Sequence, residues 1–168
     1  VTFTAVDVTD ANSPVPGSAS TNFTGSPTNT CGTGLPPAAP GFVVTPYATG
    51  FSPQNISAGD VNFSCWGASG IAFDSSGNLY VHEFTTGSIY KFPPGGGVAG
   101  PATLLNSSLG VTLSGLVFDS SGHLSASRDI TTGNFTTGDV IQLDPSTGAL
   151  ISSISTELTC PTALAVDP

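Results

Sequence analysis

An internal repeat of about 45 residues constrains the fold of this chain more than any other feature. Residues 70–81, Gly-Ile-Ala-Phe-Asp-Ser-Ser-Gly-Asn-Leu-Tyr-Val, recur at 115–126 as Gly-Leu-Val-Phe-Asp-Ser-Ser-Gly-His-Leu-Ser-Ala. A third copy begins near residue 163 as Ala-Leu-Ala-Val-Asp. Asp119 follows Asp74 by 45 residues, and Asp167 follows Asp119 by 48 residues. A repeat of this length indicates similar structural units that pack side by side.

Each full repeat predicts four short antiparallel strands, and the chain is predicted to be all-β. In the first repeat, an Asp-Ser-Ser-Gly turn separates an apolar run that suits burial on both faces from a second strand. Helix-favouring Glu, Lys and Arg are scarce, whereas Gly 21 and Pro 14 are abundant. The predicted strands are Ile71–Phe73, Leu79–His82, Ser88–Phe92 and Thr103–Leu105, then Leu116–Phe118, Leu124–Ser127, Val140–Leu143 and Ala149–Ile154.

The residues before the first repeat differ in composition from the repeats and are predicted to form a separate region. Residues 1–40 are an extended, Pro-rich leader, in which alternation over residues 1–6 predicts an edge strand. Residues 41–168 hold the repeats. An isolated strand is expected at 42–50, where Pro46 confines it to an edge or a bulge, and residues 52–67 form a long insertion.

The repeat resembles the blade of NHL-type β-propellers and of the related gluconolactonase-like (regucalcin-like) and streptogramin-lyase-like propellers. The resemblance rests on residues 70–81 followed by Gly-Ser-Ile-Tyr-Lys-Phe at 87–92. It implies four-stranded blades and an N-terminal strand that completes the last blade. A propeller has about four to eight blades, so the sequence predicts a partial propeller of about two full blades plus flanking strands. Its partners are then the remaining blades of a longer polypeptide or other copies of the chain.

Charge and composition limit the classes of partner. The net charge is -9, with Lys and Arg together numbering 2, which excludes binding to nucleic acid or to anionic lipid through basic residues. No apolar run is long enough to span a bilayer. The absence of Met predicts that a segment preceding Val1 was removed, a secretory signal being the commonest candidate. We therefore expect an extracellular or cell-surface protein.

Sequons and cysteines agree with that location. Five of the eight asparagines lie in Asn-x-Ser/Thr sequons and are candidates for glycosylation: Asn22, Asn55, Asn62, Asn106 and Asn134. Sharing of turns by Asn, Ser and Thr is the alternative explanation. The three cysteines have no metal-binding spacing, so one disulfide and one unpaired thiol are expected. Cys31–Cys65 is the preferred pair, which leaves Cys160 unpaired or bonded outside the chain.

Few residues suggest chemistry, and the sequence predicts no catalytic residue and no cofactor. In the gluconolactonase-like branch, carboxylates and an Asn bind a divalent metal, and Glu83 is a weak candidate for such a ligand. Pairing with Lys or with turn amides is the favoured role for Glu83. His82 and His123 are expected to face solvent near strand ends, and the repeated aspartates to form turns. The aromatic side chains Trp66, Tyr47, Tyr80 and Tyr90 suit blade packing better than a carbohydrate or peptide platform.

The sequence as a whole favours a secreted, non-catalytic propeller-type module with a structural or adhesive role. Part of a glycosylated surface coat or filament is the setting that this composition suits. Its exposed blade faces and edge strands would associate with neighbouring blades or copies. The first alternative is a fragment of a metal-dependent gluconolactonase/lyase-like enzyme. The second is an extracellular ligand-binding propeller that uses its blade-top loops.

Overall fold

The described part of the chain is built from β-strands. A computed structural model describes residues 37–51, 54–58, 61–84, 86–109, 112–129 and 137–167. The chain divides into two compact units, Val1–Thr45 and Pro46–Pro168, and every described strand belongs to the second. No helix occurs in the described ranges, which confirms the predicted all-β class. In chain order the strands are β1 Ala48–Thr49, β2 Gln54–Ala58, β3 Val61–Trp66, β4 Ala68–Phe73, β5 Leu79–Glu83, β6 Ser88–Phe92, β7 Gly97–Val98, β8 Leu104–Asn106, β9 Thr112–Phe118, β10 Leu124–Asp129, β11 Gly138–Leu143 and β12 Leu150–Leu158.

Each full repeat forms one four-stranded antiparallel sheet. The first-repeat sheet has the order β4-β5-β6-β8, and the second-repeat sheet has the order β9-β10-β11-β12. The predicted strand at Ser88–Phe92 has the observed bounds, and most of the others are longer than predicted. Tight turns alone suffice for such meanders, because antiparallel neighbours need only short connections.

The Asp-Ser-Ser-Gly turns are held by their aspartates, as predicted. The Asp74 Oδ1 atom accepts hydrogen bonds from the backbone N–H groups of Ser76 and Asn78, at 3.0 and 2.8 Å. Asp119 repeats this pattern with Ser121 and His123, at 2.9 Å each. Short polar side chains that bond their own backbone favour such turns, so the same sequence gives the same local structure twice.

The main hydrophobic core lies between the two sheets. The first-repeat sheet contributes Tyr80 and Ile89, both almost fully buried. The second-repeat sheet contributes residues from β9, β10 and β11, namely Leu113, Leu116, Leu124, Ala126, Ile141 and Leu143. A smaller cluster of Leu79, Val81 and Phe92 lies on the other face of the first-repeat sheet, with Phe51 packed against it.

The prediction that the first strand of the repeat is buried on both faces is wrong for β4. Gly70 is buried and Ala72 packs against the main core, but Ile71 is 63% and Phe73 is 52% exposed. Successive side chains of a strand point to opposite faces. The second-repeat sheet covers only the face of Gly70 and Ala72, so the alternate residues are left at the surface.

Successive repeats pack against each other through the same close contact at a glycine. A methyl group at Gly70 would lie 2.8 Å from the carbonyl oxygen of Ser114 in β9. A methyl group at Gly115, the equivalent glycine, would lie 3.1 Å from the backbone nitrogen of Leu164 and 3.2 Å from the Ala163 Cα atom. Each glycine therefore lets the backbone of the following copy approach closely, and we call this contact the glycine step.

The segments that precede the first repeat are only partly as predicted. The strand expected at 42–50 is wrong in extent, because only β1 is a strand and it pairs in parallel with β7. The insertion at 52–67 contains a hairpin, β2 paired antiparallel with β3. The edge strand predicted at residues 1–6 and most of the Pro-rich leader lie outside the described residues.

Candidate functional site

A cleft opens where the turns of the two sheets meet, and we call it the turn cleft. Its volume is about 610 Å³, within the usual range of ~300–1,000 Å³ for ligand sites. Both Asp-Ser-Ser-Gly turns, the adjoining strand ends and the β11–β12 turn form its walls. The lining residues are Phe73, Asp74, Ser75, Tyr80, Lys91, Phe118, Asp119, Ser120, Ser121, Gly122, Pro145 and Ser146.

The floor of the turn cleft holds the only lysine of the chain. The Lys91 Nζ atom lies 4.9 Å from the centroid of the Tyr80 ring and 4.0 Å from the Asp74 Oδ2 atom. Tyr80 is 1% exposed, and its hydroxyl donates a hydrogen bond of 2.9 Å to the carbonyl oxygen of Pro145. The ring face and the carboxylate both attract the ammonium group, so they hold Lys91 above the buried Tyr80 ring.

The two carboxylates of the turn cleft are occupied by their own turns. Burial alone would raise the pKa of Asp74, but hydrogen bonds from Asn78 and Ser76, with the charge of Lys91, lower this pKa overall. Hydrogen bonds from the backbone and side chain of His123 are the main cause that lowers the pKa of Asp119. Both groups are therefore ionised acceptors whose lone pairs already serve the turns.

The remaining polar groups of the turn cleft are hydroxyls without a partner. Among the described residues, the Oγ atoms of Ser75, Ser120, Ser121 and Ser146 make no hydrogen bond with a protein atom, and the Lys91 ammonium group has the Asp74 carboxylate and the Tyr80 ring as its contacts. Among the lining aromatic residues, Phe118 packs against Tyr80 with ring centroids 4.9 Å apart. The serine hydroxyls can donate and accept hydrogen bonds, and the ammonium group can donate them.

His82 is buried, so its predicted position facing solvent is wrong. Its Nε2 atom accepts a hydrogen bond of 3.3 Å from the backbone N–H of Leu113 in the second-repeat sheet. This assigns the proton to Nδ1, which donates to the Ser69 Oγ atom at 2.9 Å. Burial lowers the pKa of His82 to about 3. The ring is neutral and cannot take a proton from Ser69 through Nδ1, so the trio joins the two sheets instead of activating a nucleophile.

His123 faces solvent as predicted. Its Nδ1 atom lies 2.8 Å from the Asp119 Oδ2 atom at the edge of the turn cleft, and more than half of its side chain is exposed. The two histidines therefore occupy opposite environments, which their non-equivalent positions in the repeat allow.

Glu83, the weak metal candidate, is buried within its own sheet. Its Oε2 atom accepts hydrogen bonds from the Thr86 hydroxyl at 3.0 Å and from the Tyr90 hydroxyl at 3.5 Å. It is 5% exposed. Within the described ranges, no group of three or more His, Cys, Asp and Glu side chains is placed to hold a metal ion. These contacts give Glu83 a structural role.

The second repeat replaces Glu83 by Arg128 and pairs it with Asp139. The guanidinium donates to both carboxylate oxygens, at 2.8 and 2.6 Å, and the Ser153 hydroxyl adds a bond of 3.0 Å. The bond to Asp139 is the main cause that raises the pKa of Arg128. Desolvation alone would raise the pKa of Asp139, but the bonds from Arg128 and Ser153 lower it overall. The network fixes β10, β11 and β12 to one another.

Other candidates are only partly described. Cys65 is engaged in a disulfide and Cys160 is free and exposed. Cys31 lies outside the described residues, so its pairing stays a prediction.

The Asn106 Nδ2 atom donates a hydrogen bond of 2.8 Å to the carbonyl oxygen of Gly148, which joins the two sheets. The side chains of the other four sequon asparagines, namely Asn22, Asn55, Asn62 and Asn134, lie outside the described set.

The aromatic candidates serve packing in the main. Tyr80 is buried, Tyr90 meets Phe51 edge to face, and Trp66 lies 4.5 Å from Phe84 between ring centroids. The aromatic residues that the sequence did not single out are Phe73 and Phe118, which both line the turn cleft. Each directly precedes the aspartate of its turn, and this repeated position was the available signal.

Comparison with known proteins adds no relative from which a role could be transferred. Within the described ranges no helix has the length and apolarity required to cross a bilayer. No protein-family model, curated protein or solved structure matches the chain.

Proposed function

We propose that the chain is a secreted, non-catalytic propeller-type module with a structural or adhesive role at a cell surface. The two four-stranded sheets and the glycine step between successive copies support the propeller-type arrangement. The chain's resemblance to NHL-type and gluconolactonase-like blades supports the same proposal. Glycans on the sequons would suit a surface coat or filament.

The observation that carries the proposal is the apolar surface at the strands that border the two sheets. On β4, Ile71 and Phe73 are more than half exposed. On β12, Leu150, Ile151 and Ile154 are 46, 58 and 59% exposed. Scattered apolar residues are ordinary on protein surfaces, but rows of them indicate sites of association.

The outer strand of the second-repeat sheet adds backbone groups to this surface. β12 is nine residues long and, among the described strands, pairs only with β11. An unpaired edge of this length is a template for a further strand. Blade faces and strand edges would thus join the module to neighbouring blades or to other copies.

The test is the association state of the chain. Sedimentation velocity over about 1–100 μM should show self-association, or stable binding to the polypeptide that supplies further blades. Replacing Ile71 and Ile154 by Ser should weaken it. Val43→Ser is the matched control, because Val43 is 86% exposed but lies outside both apolar rows.

A monodisperse monomer that binds no blade-bearing polypeptide would overturn the proposal. No specific arrangement favours the enzyme alternative, since Glu83 is engaged by Thr86 and Tyr90. The ligand-binding alternative has the turn cleft in its favour.

A further inference from the structure

The exposed apolar residues of β4 and β12 occupy positions whose equivalents are covered where the two repeats meet inside the chain. Ile71 is 63% exposed, but its equivalent in the second repeat, Leu116, is 6% exposed and lies in the main core. Ile154 is 59% exposed, but its equivalent in the first repeat, Leu105, packs against that core. We propose that a second copy of the chain covers both positions head to tail, with β12 and the outer face of one second-repeat sheet packed on β4 of the next copy. This interface depends on the association proposed above, and it names the partner and the geometry.

The strand registers establish both equivalences. Ile71 pairs with Val81 in the first-repeat sheet, and Leu116 pairs with Ala126 at the same step of the second-repeat sheet. Leu105 lies between the two residues of β8 that pair with β6, and Ile154 lies between the two residues of β12 that pair with the equivalent positions of β11. Those positions are Ile89 and Tyr90 in β6, and Val140 and Ile141 in β11.

The chain carries each half of the internal interface a second time. Inside the chain, the face of the first-repeat sheet that bears Tyr80 and Ile89 packs on the face of the second-repeat sheet that bears Leu116. The outer face of the second-repeat sheet repeats the first half, and the far face of the first-repeat sheet repeats the second half. The outer face bears Val117, Ser125, Val140 and Gln142, and the far face bears Ile71, Phe73, Leu79 and Val81. Two different faces that complement each other produce a head-to-tail contact between copies.

Charge permits two copies to meet at these faces. Each copy has a net charge of -9, so contact between copies places two like-charged molecules together. Ile71 and Phe73 on one side, and Val117, Ser125, Val140, Gln142 and Ile154 on the other, are uncharged. Like charges directly opposite each other would weaken an interface, and these residues bring none.

A segment before the first repeat already stands in for a preceding sheet. Residues 46–51, which we call the strap, lie on the far face of the first-repeat sheet. The Tyr47 ring meets Phe73 edge to face at 5.9 Å between centroids, as Tyr80 meets Phe118 at 4.9 Å inside the chain. The strap therefore reproduces with one tyrosine a contact that a whole sheet makes elsewhere, and a docking copy would displace it.

A second segment stands in for a following sheet. At Gly115 the Leu164 backbone nitrogen takes the place that the Leu116 nitrogen takes at Gly70. Residues 161–167 thus occupy the position that β4 of the next copy would take. A protein whose binding-competent form is only partly populated shows a lower apparent affinity, so loosening the strap should strengthen association.

The geometry also predicts the size of the assembly. Head-to-tail contacts form a ring when the rotation between copies closes. Each copy supplies two sheets, and a propeller has about four to eight, so about two to four copies would close a ring. Native mass spectrometry of the unaltered chain at about 1–100 μM should show one closed species of this size, whereas open-ended growth would overturn the ring.

Single variants test the two halves separately. Ile71→Asp and Ile154→Asp should each raise the dissociation constant of self-association at least about tenfold in sedimentation velocity. Ile151→Asp is the matched control, because Ile151 is 58% exposed on the same strand as Ile154, whereas its counterpart at the same offset, Ala102, is exposed. It should leave association unchanged. Tyr47→Ala should strengthen association, because it removes the ring contact and the bond to Gly95 that hold the strap.

A mixture of the two variants decides the geometry. Ile71→Asp leaves the outer face of the second-repeat sheet intact, and Ile154→Asp leaves β4 intact. An equimolar mixture should therefore form a 1:1 dimer although neither variant associates alone. Contacts between identical faces predict a different pattern, in which only one of the two variants dissociates and mixing restores nothing.

The outcomes separate this interface from the association on which it depends. Loss of association in only one of the two variants, or no recovery in the mixture, would overturn the head-to-tail interface and leave the proposed association standing. Weaker association of folded Tyr47→Ala would overturn displacement of the strap. A chain that is monomeric throughout and binds no blade-bearing polypeptide would overturn both proposals. Circular dichroism checks that each variant is folded, and the assembly size of the unaltered chain tests the interface without any substitution.

Discussion

The hydrogen bonds of His82 predict that the joint between the two sheets is sensitive to acid. The unfolded His82 has an ordinary pKa near 6.5, whereas burial lowers the pKa in the folded chain to about 3. Between these values the unfolded state binds a proton that the folded state excludes. The free energy of unfolding therefore falls as the pH decreases from about 6.5 towards 3.

The size of the effect follows from the two pKa values. One unit of pH in this window corresponds to ~1.4 kcal/mol. From about pH 7.5 to about pH 4.5, the contribution of His82 to the free energy of unfolding should fall by about 3 kcal/mol. This is a large part of the stability of a small domain, which is ~5–15 kcal/mol.

The assay compares urea denaturation of the unaltered chain and of His82→Gln at both pH values. Carboxylates titrate in both proteins, so their effect cancels in the difference. The Gln amide is neutral at either pH and offers an acceptor to the Leu113 N–H and a donor to Ser69. The unaltered chain should lose about 3 kcal/mol more of its free energy of unfolding than the variant.

Equal pH dependence of the two proteins would refute this reasoning. A direct measurement avoids the variant altogether, because the chain has only two histidines. In NMR titration of the folded protein, the His82 ring should stay neutral down to about pH 4. A His82 ring that titrates near its ordinary value would show that His82 is not buried between the sheets.

Three further predictions concern other contacts. Asp139→Ala should lower the free energy of unfolding, measured by urea denaturation, by ~3 kcal/mol, because it leaves the Arg128 guanidinium poorly paired. Adding Arg128→Met should recover part of this loss, and additive effects of the two substitutions would contradict the pairing. Gly70→Ala should lower the free energy of unfolding by ~1–3 kcal/mol, because the added methyl group overpacks against Ser114 in β9. Gly100→Ala is the control and should be close to neutral in the same assay, because a methyl group there meets nothing within 4 Å. Thiol titration of the native chain should find one reactive group, the exposed Cys160; more than one would contradict the single disulfide.

Local sequence was sufficient to predict the strands and turns of each repeat. The Asp74 turn, for instance, is held by bonds that reach at most four residues along the chain, to Ser76 and Asn78. Such bonds are fixed by neighbouring residues and need no knowledge of the rest of the fold. The four-stranded sheets follow from these turns.

Features that depend on contacts between the sheets could not be predicted in this way. His82 is buried because Leu113, 31 residues further along the chain, lies over it. Ile71 is exposed because the second-repeat sheet covers the other face of β4. The turn cleft requires two turns that the sequence separates by 45 residues, and only the packing of the two sheets brings these turns together.

The glycine step has a consequence for how a chain of this kind can grow and diverge. At Gly70 the closest approach is made by a backbone atom of the following copy, and at Gly115 by a backbone atom of the following copy together with the Ser127 Oγ atom of the same repeat. The matching surface is therefore inherited intact whenever a repeat is duplicated, and no compensating side-chain change is needed at the new junction. Selection can then alter the side chains within each unit separately, as the exchange of Glu83 for Arg128 illustrates, while the spacing between units is preserved by a single small residue.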